Sequence, residues 1–115
     1  MRFALVIIEN DRSRQSIRTD RSAHRAAIEA WMRRHAEAGT LVGGEAFETE
    51  RTTPVTIRRA QDGLSEVTDG PFAGKEETLG GYVLVEAPDM DAAVAIATTW
   101  PASGETIEIR PIWEP

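Results

Sequence analysis

Three segments of the chain have the apolar patterns of buried strands. Phe3–Ile8, which reads FALVII, and Gly81–Glu86, which reads GYVLVE, are apolar at successive positions, as is typical of strands buried on both faces. The segment 106–111, which reads TIEIRP, alternates instead, so Ile107 and Ile109 should face inward. These patterns predict two central strands and one strand with a single buried face.

Two further segments have the spacing of amphipathic helices. Ser22–Ala38 places Trp31 on a core-facing stripe and is followed by Gly39, a residue typical of helix ends. The second helix lies within APDMDAAVAIATTW, residues 87–100, where Asp89 is the predicted N-cap. Its apolar stripe is rich in alanine, which favours close packing against a sheet.

The middle of the chain predicts a weak strand and a hairpin. Leu41–Phe47 is the weak strand, and PVTIRR, residues 54–59, is joined to LSEV, residues 64–67, by the turn sequence Gln-Asp-Gly. The resulting order is β-α-β-β-α-β with an extra hairpin strand, which is the ferredoxin-like order of an α+β fold. We predict a single domain over residues 1–115, with an antiparallel sheet and two helices on one face of it.

Helices on one face leave the other face of the predicted sheet uncovered. Because the two central strands are apolar on both faces, that open face would be an apolar patch of the kind that marks an interface. We therefore expect a homodimer whose sheets face each other, with a cavity between or beside them. The alternative is a monomer that covers the face with its own loops.

Charge and composition limit the classes of partner and chemistry. A net charge of −6 argues against a nucleic-acid surface, which needs a positive field. The arginines of DRSRQSIRTDR, residues 11–21, are interleaved with acids, so we interpret that segment as a solvated loop. The absence of cysteine excludes disulfides, thiolate catalysis and cysteine-ligated zinc.

The apolar runs are too short for membrane insertion. No run approaches the roughly 20 apolar residues of a membrane span, and the run at the N-terminus is followed at once by acidic residues. We therefore expect a cytoplasmic protein without a membrane partner. No Gly-rich phosphate loop is found, and two histidines at opposite ends of one helix cannot share an ion, so we expect neither cofactor nor metal.

The two histidines occupy opposite ends of the first predicted helix. His35 lies in the last turn, where a histidine is typically a capping or surface residue. His24 lies in the first turn, on the stripe of Ile28 and Trp31, and the helix dipole there disfavours its protonation. His24 is thus placed as a general base would be. A core histidine bonded to a backbone carbonyl remains the alternative.

The segment TDGPFAGKEETLGG, residues 68–81, is more specific than a simple entry to a strand. Asp69, Gly70 and Pro71 have turn chemistry that would hold the Asp69 carboxylate in place. Phe72 could then pack on the apolar face. The glycine pair before the strand would allow a ligand or a backbone to approach closely. A preorganised carboxylate beside a cavity accounts for more of this segment than a structural turn does.

The segment DGPFAGKEETLGGYVLVE resembles the signature of the YCII-related, DGPF-domain proteins. RSAHRAAIEAW, AGTLVGGEAF and IEIRPI are similar to that family's first helix, second strand and closing strand. The resemblance implies a dimeric α+β barrel of ferredoxin-like subunits and a catalytic His–Asp pair. His24 carries over as the histidine, and Asp69 is the candidate acid. The substrate-binding candidates beside this pair are Trp31, Phe72, Gly80, Gly81 and Tyr82.

The chain departs from the resemblance in the middle of the signature. Many members read Lys-Glu where this chain has Glu76 and Glu77, and its lysine comes one place earlier at Lys75.

Two functions remain open. The first is a cofactor-free acid–base enzyme that abstracts a proton from a small organic substrate and completes an elimination or isomerisation. The second is a non-catalytic module that binds a small ligand or has an accessory role, linked to sigma-factor regulation as the family resemblance implies.

Overall fold

The computed structural model describes residues 1–72, 74 and 76–115. Six strands and three helices follow one another along the described chain. They are β1 Arg2–Asn10, α1 Asp11–Thr19, α2 Arg21–Glu37, β2 Leu41–Ala46, β3 Val55–Arg59, β4 Ser65–Asp69, β5 Glu77–Glu86, α3 Met90–Ala97 and β6 Thr106–Pro111.

Four of the strands form an antiparallel sheet in the order β2-β5-β1-β6. The two strands predicted to be central, β1 and β5, are central, and β5 lies between β1 and β2 as in a split β-α-β arrangement. The α+β class and the antiparallel sheet are therefore confirmed. The hairpin differs from the prediction, because β3 and β4 form a separate two-stranded sheet instead of adding a strand.

Burial alternates along β1. Phe3, Leu5, Ile7 and Glu9 are buried, whereas the positions between them are half-buried. The prediction of two buried faces is thus wrong for the single chain, in which the helices cover one face only. The alternation places one charged residue, Glu9, on the buried face.

The core lies between the sheet and the helices α2 and α3. Trp31 of α2 is 2% exposed, and its indole N–H donates to the hydroxyl of Thr99 at 2.8 Å. Its ring meets Trp100 edge-to-face at 5.0 Å between centroids. Burying so large a side chain with its N–H satisfied stabilises the helix–sheet contact. The buried core residues are Phe3, Leu5, Trp31, Val83, Val85, Ala87, Ala93 and Ala97.

The segment interpreted as a solvated loop is a helix, so the structure has three helices where two were predicted. Asn10 caps α1 by accepting from the Ser13 N–H at 2.8 Å, and the Ser13 hydroxyl accepts from the Asn10 N–H at 2.9 Å. This reciprocal capping box satisfies two otherwise unpaired donors. Arg14 also pairs with Asp11 one turn earlier. The charges that suggested a loop therefore support a helix.

The remaining helix ends agree with the sequence. Asp20 caps α2 through the Ala23 N–H, and Asp89 caps α3 through the Ala92 N–H at 2.8 Å. Gly39 follows the end of α2 with a φ of 77°. Strand β5 begins at Glu77, earlier than predicted. Among the described helices, none has the length and apolar character needed to cross a membrane.

Candidate functional site

A cavity of about 310 Å³ lies between helices α1 and α2 and the helix-covered face of the sheet. One part of its wall is apolar, and the other part carries the groups capable of chemistry. The apolar residues include Ile7, Ile17, Ile28, Met32, Phe47 and Val83. The polar residues include Glu9, Arg21, His24, Tyr82 and Glu105. A mainly apolar cavity with a few convergent polar groups is typical of small-molecule sites.

His24 lies in the first turn of α2 and lines this cavity. It is half-buried, and Ile28 and Met32 continue its helix face along the cavity wall. The hydrogen bonds that histidine side chains make among the described residues both belong to His35. The imidazole of His24 therefore faces the cavity without a fixed protein partner, and its role as a base stays a prediction.

Glu9 is an acid on the buried face of the sheet. It is 8% exposed, and its Oε1 accepts a hydrogen bond from the Thr49 hydroxyl at 3.1 Å. Its carboxylate lies over Gly80, where a side-chain Cβ would overlap it. Gly80 is thus the residue that makes room for a carboxylate in the cavity wall.

Glu105 is a second acid in the same wall. Its Oε1 accepts from the Trp100 indole N–H at 2.9 Å. Burial raises the pKa of Glu105; the hydrogen bond from Trp100 opposes this, and the charge of Glu9 adds to it. The Glu105 carboxyl is therefore the group here that holds its proton to higher pH than an ordinary glutamate.

The loop after β2 brings Thr49 to Glu9. The Glu48 carboxylate accepts backbone N–H bonds from Glu50, Arg51 and Thr52 at 2.8–3.0 Å. These bonds lower the pKa of Glu48, since they favour its charged form. Glu50, which also lines the cavity, pairs with Arg18 of α1 at 3.1 Å. Two adjacent loop residues, Thr49 and Glu50, thus tie the loop to β1 and α1.

Three of the predicted binding residues line the cavity together. Gly80 and Gly81 are buried and Tyr82 is half-buried. A Cβ at Gly81 would lie 2.5 Å from the Glu45 carbonyl oxygen of β2. The close approach predicted for the glycine pair therefore exists: a side chain approaches Gly80 and a backbone approaches Gly81.

The predicted acid lies elsewhere. Asp69 ends β4 opposite Val55 and lines a more open groove of about 490 Å³ with Arg14 and Arg18. Within the described residues the carboxylate of Asp69 makes no hydrogen bond, and none joins it to His24. The turn is held instead by Gly70, whose N–H donates to the Pro54 carbonyl at 2.7 Å. The predicted carboxylate-to-backbone turn bond is thus absent from the described chain.

Phe72 and Trp31 lie outside the cavity wall. Phe72 is 78% exposed, with the Arg58 guanidinium 5.6 Å from its ring centroid, so in the single chain it does not pack on the sheet. Trp31 belongs to the core. Lys75 lies outside the described residues.

His35 occupies the last turn of α2, as predicted. Its Nδ1 is 3.2 Å from the Thr40 hydroxyl, and its ring lies 4.3 Å from that of Trp31. Burial and the neighbouring Arg34 charge lower the pKa of His35. These contacts indicate a structural role at the helix end.

Sequence reasoning missed the two acids of the cavity. Glu9 continues the period-two face of Phe3, Leu5 and Ile7, so a charge on a buried stripe was the available signal. Glu105 precedes β6 and carries no such signal. Across the described ranges, no group of three His, Asp or Glu side chains is arranged to hold a metal ion. The groups present suit proton transfer and the binding of polar ligands.

Comparison with known sequences gives a family and a distant relative. The family description "YCII-related domain" matches residues 1–115. An uncharacterised protein of Rhizobium meliloti (strain 1021) is 33% identical over 89 residues, which cover 74% of this chain and 69% of that protein. The match over the full length includes both the cavity and the DGPF segment. The chain belongs to the YCII-related domain family.

Proposed function

We propose that this YCII-related domain protein is a cofactor-free acid–base enzyme that acts on a small organic molecule in the cavity of His24. The observation that carries the proposal is the meeting of His24 with two acids, Glu9 and Glu105, in one mainly apolar cavity. A base in a mainly apolar cavity that also offers polar groups to hold the substrate is what proton abstraction and return require.

In this proposal His24 removes a proton from a carbon of the substrate. The electron pair left on that carbon either expels a leaving group or forms a new double bond one position away, and an acid supplies the proton that completes an isomerisation. The His24 imidazolium formed in the first step suits the acid, which leaves Glu105 free to contact the substrate. General acid–base catalysis contributes roughly 10²–10⁴-fold, and positioning in the cavity must supply the rest.

Asp69 enters the proposal through a second copy of the chain. The family resemblance implies a His–Asp pair, with His24 as the histidine and Asp69 as our candidate acid, and in one protomer the two residues line different cavities. We therefore place the Asp69 of one protomer near the His24 of its partner in a cytoplasmic homodimer of the dimeric α+β barrel type.

Support for a dimer comes from apolar side chains that the single chain leaves uncovered. Val55, Ile57 and Val67 lie on one face of the β3–β4 hairpin and are 58–64% exposed. On the open face of the main sheet, Val6 and Leu84 are only half-buried. Light scattering at micromolar concentration should give about twice the 12.7 kDa of one chain, and a mass of one chain would contradict the dimer.

The catalytic proposal is tested by deuterium exchange into a panel of small carbon acids, followed by NMR in D₂O. The wild type should incorporate deuterium into at least one compound, and His24→Gln should lose this activity. His35→Gln is the matched control, because it removes the other histidine from outside the cavity. Equal rates in the wild type and His24→Gln would contradict a base at His24.

A second candidate is a ligand-binding module without catalysis, linked to sigma-factor regulation. One observation favours it: in the described chain no acid hydrogen-bonds to His24, so the imidazole lacks the partner that usually orients a catalytic histidine. In this case a ligand would bind wild type and His24→Gln with similar affinity, and no compound of the panel would exchange.

A further inference from the structure

Two carboxylates in the cavity wall, Glu9 and Glu105, have no counter-ion among the described residues. The salt bridges of the described chain join other residues, and neither Glu9 nor Glu105 takes part in one. Glu9 has a single neutral donor, Thr49, and Glu105 a single neutral donor, Trp100. Buried carboxylates are costly unless they are paired, protonated or bound to a cation.

The fold places these two acids side by side. Ile8 of β1 pairs with Thr106 of β6, and Glu9 and Glu105 each lie one residue beyond that pair. Like charges at neighbouring cross-strand positions repel each other, and burial strengthens the repulsion. A cation between them would remove the repulsion and provide the missing partner.

The Glu9 carboxylate has one oxygen without a hydrogen bond in the described chain. Its Oε1 is bonded to Thr49, whereas its Oε2 has no hydrogen bond among the described residues. This Oε2 lies against Gly80, at the place where a side-chain Cβ would overlap it. Glu9 is therefore a nine-tenths buried acid with one acceptor oxygen still available to a ligand.

The rest of the wall defines the other half of the ligand. Ile28, Met32 and Phe47 line the cavity beside the acids and suit an apolar body. Arg21 argues against a cationic ligand, because it lines the same cavity at the N-terminus of α2 and would attract an anion. Arg21 is exposed, whereas Glu9 is buried and Glu105 is half-buried.

We propose that the cavity binds a small organic cation, an amine with an apolar body, whose ammonium group lies between Glu9 and Glu105. An ammonium group has three donors, enough for the free oxygen of Glu9 and the second oxygen of Glu105. This deepens the proposed function by naming the substrate class: an amine whose acidic C–H faces His24.

Three probes of one shape test the charge of the ligand. Benzylamine, benzyl alcohol and benzoate share a ring and differ in charge, and each is titrated into ¹⁵N-labelled protein at about pH 7. Benzylamine should shift the resonances of the cavity residues and bind roughly tenfold or more tightly than benzyl alcohol, because a charge-assisted hydrogen bond is worth that factor. Benzoate binding as tightly as benzylamine would overturn the proposal, and so would the absence of cavity shifts with benzylamine.

Matched variants assign the binding to the acids. Glu9→Gln and Glu105→Gln should each weaken benzylamine binding roughly tenfold and leave benzyl alcohol nearly unchanged. Glu37→Gln is the control, because it removes the same charge from an exposed helix position outside the cavity. Equal weakening in Glu37→Gln would reduce the effect to net charge and overturn the proposal.

The two proposals fail separately. Benzylamine binding with no deuterium exchange in the carbon-acid panel would leave the cation site intact and remove the catalytic role of His24. Deuterium exchange that depends on His24, together with tighter binding of benzoate than of benzylamine, would support the catalytic role and contradict the cation site.

Discussion

The cavity of His24 and the groove of Asp69 share the loop residues Thr49 and Glu50 and differ in what the sequence reveals about them. The groove contains the most distinctive motif of the chain, yet the Asp69 carboxylate makes no hydrogen bond within the described residues, and the groove is open. The cavity is built mainly from ordinary strand and helix positions, yet it holds the buried acids. A distinctive motif can therefore mark a backbone geometry while the reactive groups lie elsewhere.

The largest expected effect on the cavity comes from a substitution that fills the space at Gly80. In Gly80→Ala the new Cβ would overlap the Glu9 carboxylate, and overpacking of this kind costs about 1–3 kcal/mol. We expect a lower free energy of unfolding in urea and weaker benzylamine binding. Gly43→Ala is the matched control, since a Cβ at Gly43 meets nothing within 4 Å. Equal stability of the two variants would contradict the packing of Glu9 on Gly80.

The next largest effect should come from helix α1, which contributes Ile17 to the cavity and Arg14 and Arg18 to the groove. Asn10→Ala removes the cap of α1 and the bond to the Gly104 carbonyl, and losing such a cap costs about 1 kcal/mol. Urea unfolding measures the change, with Ser16→Ala as a control on the exposed face of the same helix. If Asn10→Ala is as stable as Ser16→Ala, the capping box does not hold α1.

A smaller effect concerns the pH dependence of stability. Because the pKa of Glu105 is raised in the folded state, the folded protein binds more protons there than the unfolded chain above the ordinary pKa of 4.5. Glu105 therefore contributes stability at low pH that is lost as the pH rises above 4.5. The free energy of unfolding in urea should therefore fall less in Glu105→Gln than in the wild type as the pH rises. Parallel pH profiles of the two proteins would contradict this.

The smallest effect tests whether the two regions meet in a dimer. Where single chains predominate, the effects of His24→Asn and Asp69→Asn on the free energy of unfolding should add within about 0.5 kcal/mol. At concentrations that favour dimers, a contact across protomers predicts a coupling of about 0.5–3 kcal/mol. Additivity at both concentrations would exclude the His24–Asp69 pair.

Most of the fold was predictable because its information is local. The apolar patterns of β1, β5 and β6 and the spacing of α2 predicted these elements, and the same spacing put His24 on the face of α2 that lines the cavity. Helix α1 was missed because its stability comes from the Asn10–Ser13 capping box, which the alternating charges obscured.

The acids could not be paired from the sequence because their contact is long-range. Glu9 and Glu105 are 96 positions apart in the numbering, and only the register of β1 with β6 makes them neighbours. Asp69 lies in a recognisable turn, but the separate sheet of the hairpin carries it away from His24. Pairing register and hairpin placement are properties of the packed chain.

The central claim is that Glu9 and Glu105 share the cavity without a counter-ion from the described part of the chain, and a ¹³C NMR titration of the Glu105 carboxyl tests it most directly. In the wild type we predict a pKa of Glu105 above its ordinary value of 4.5, raised by burial and by the charge of Glu9. In Glu9→Gln that pKa should fall toward 4.5 but stay above it, because burial remains. An ordinary pKa of Glu105 in the wild type, unchanged in Glu9→Gln, would contradict the account.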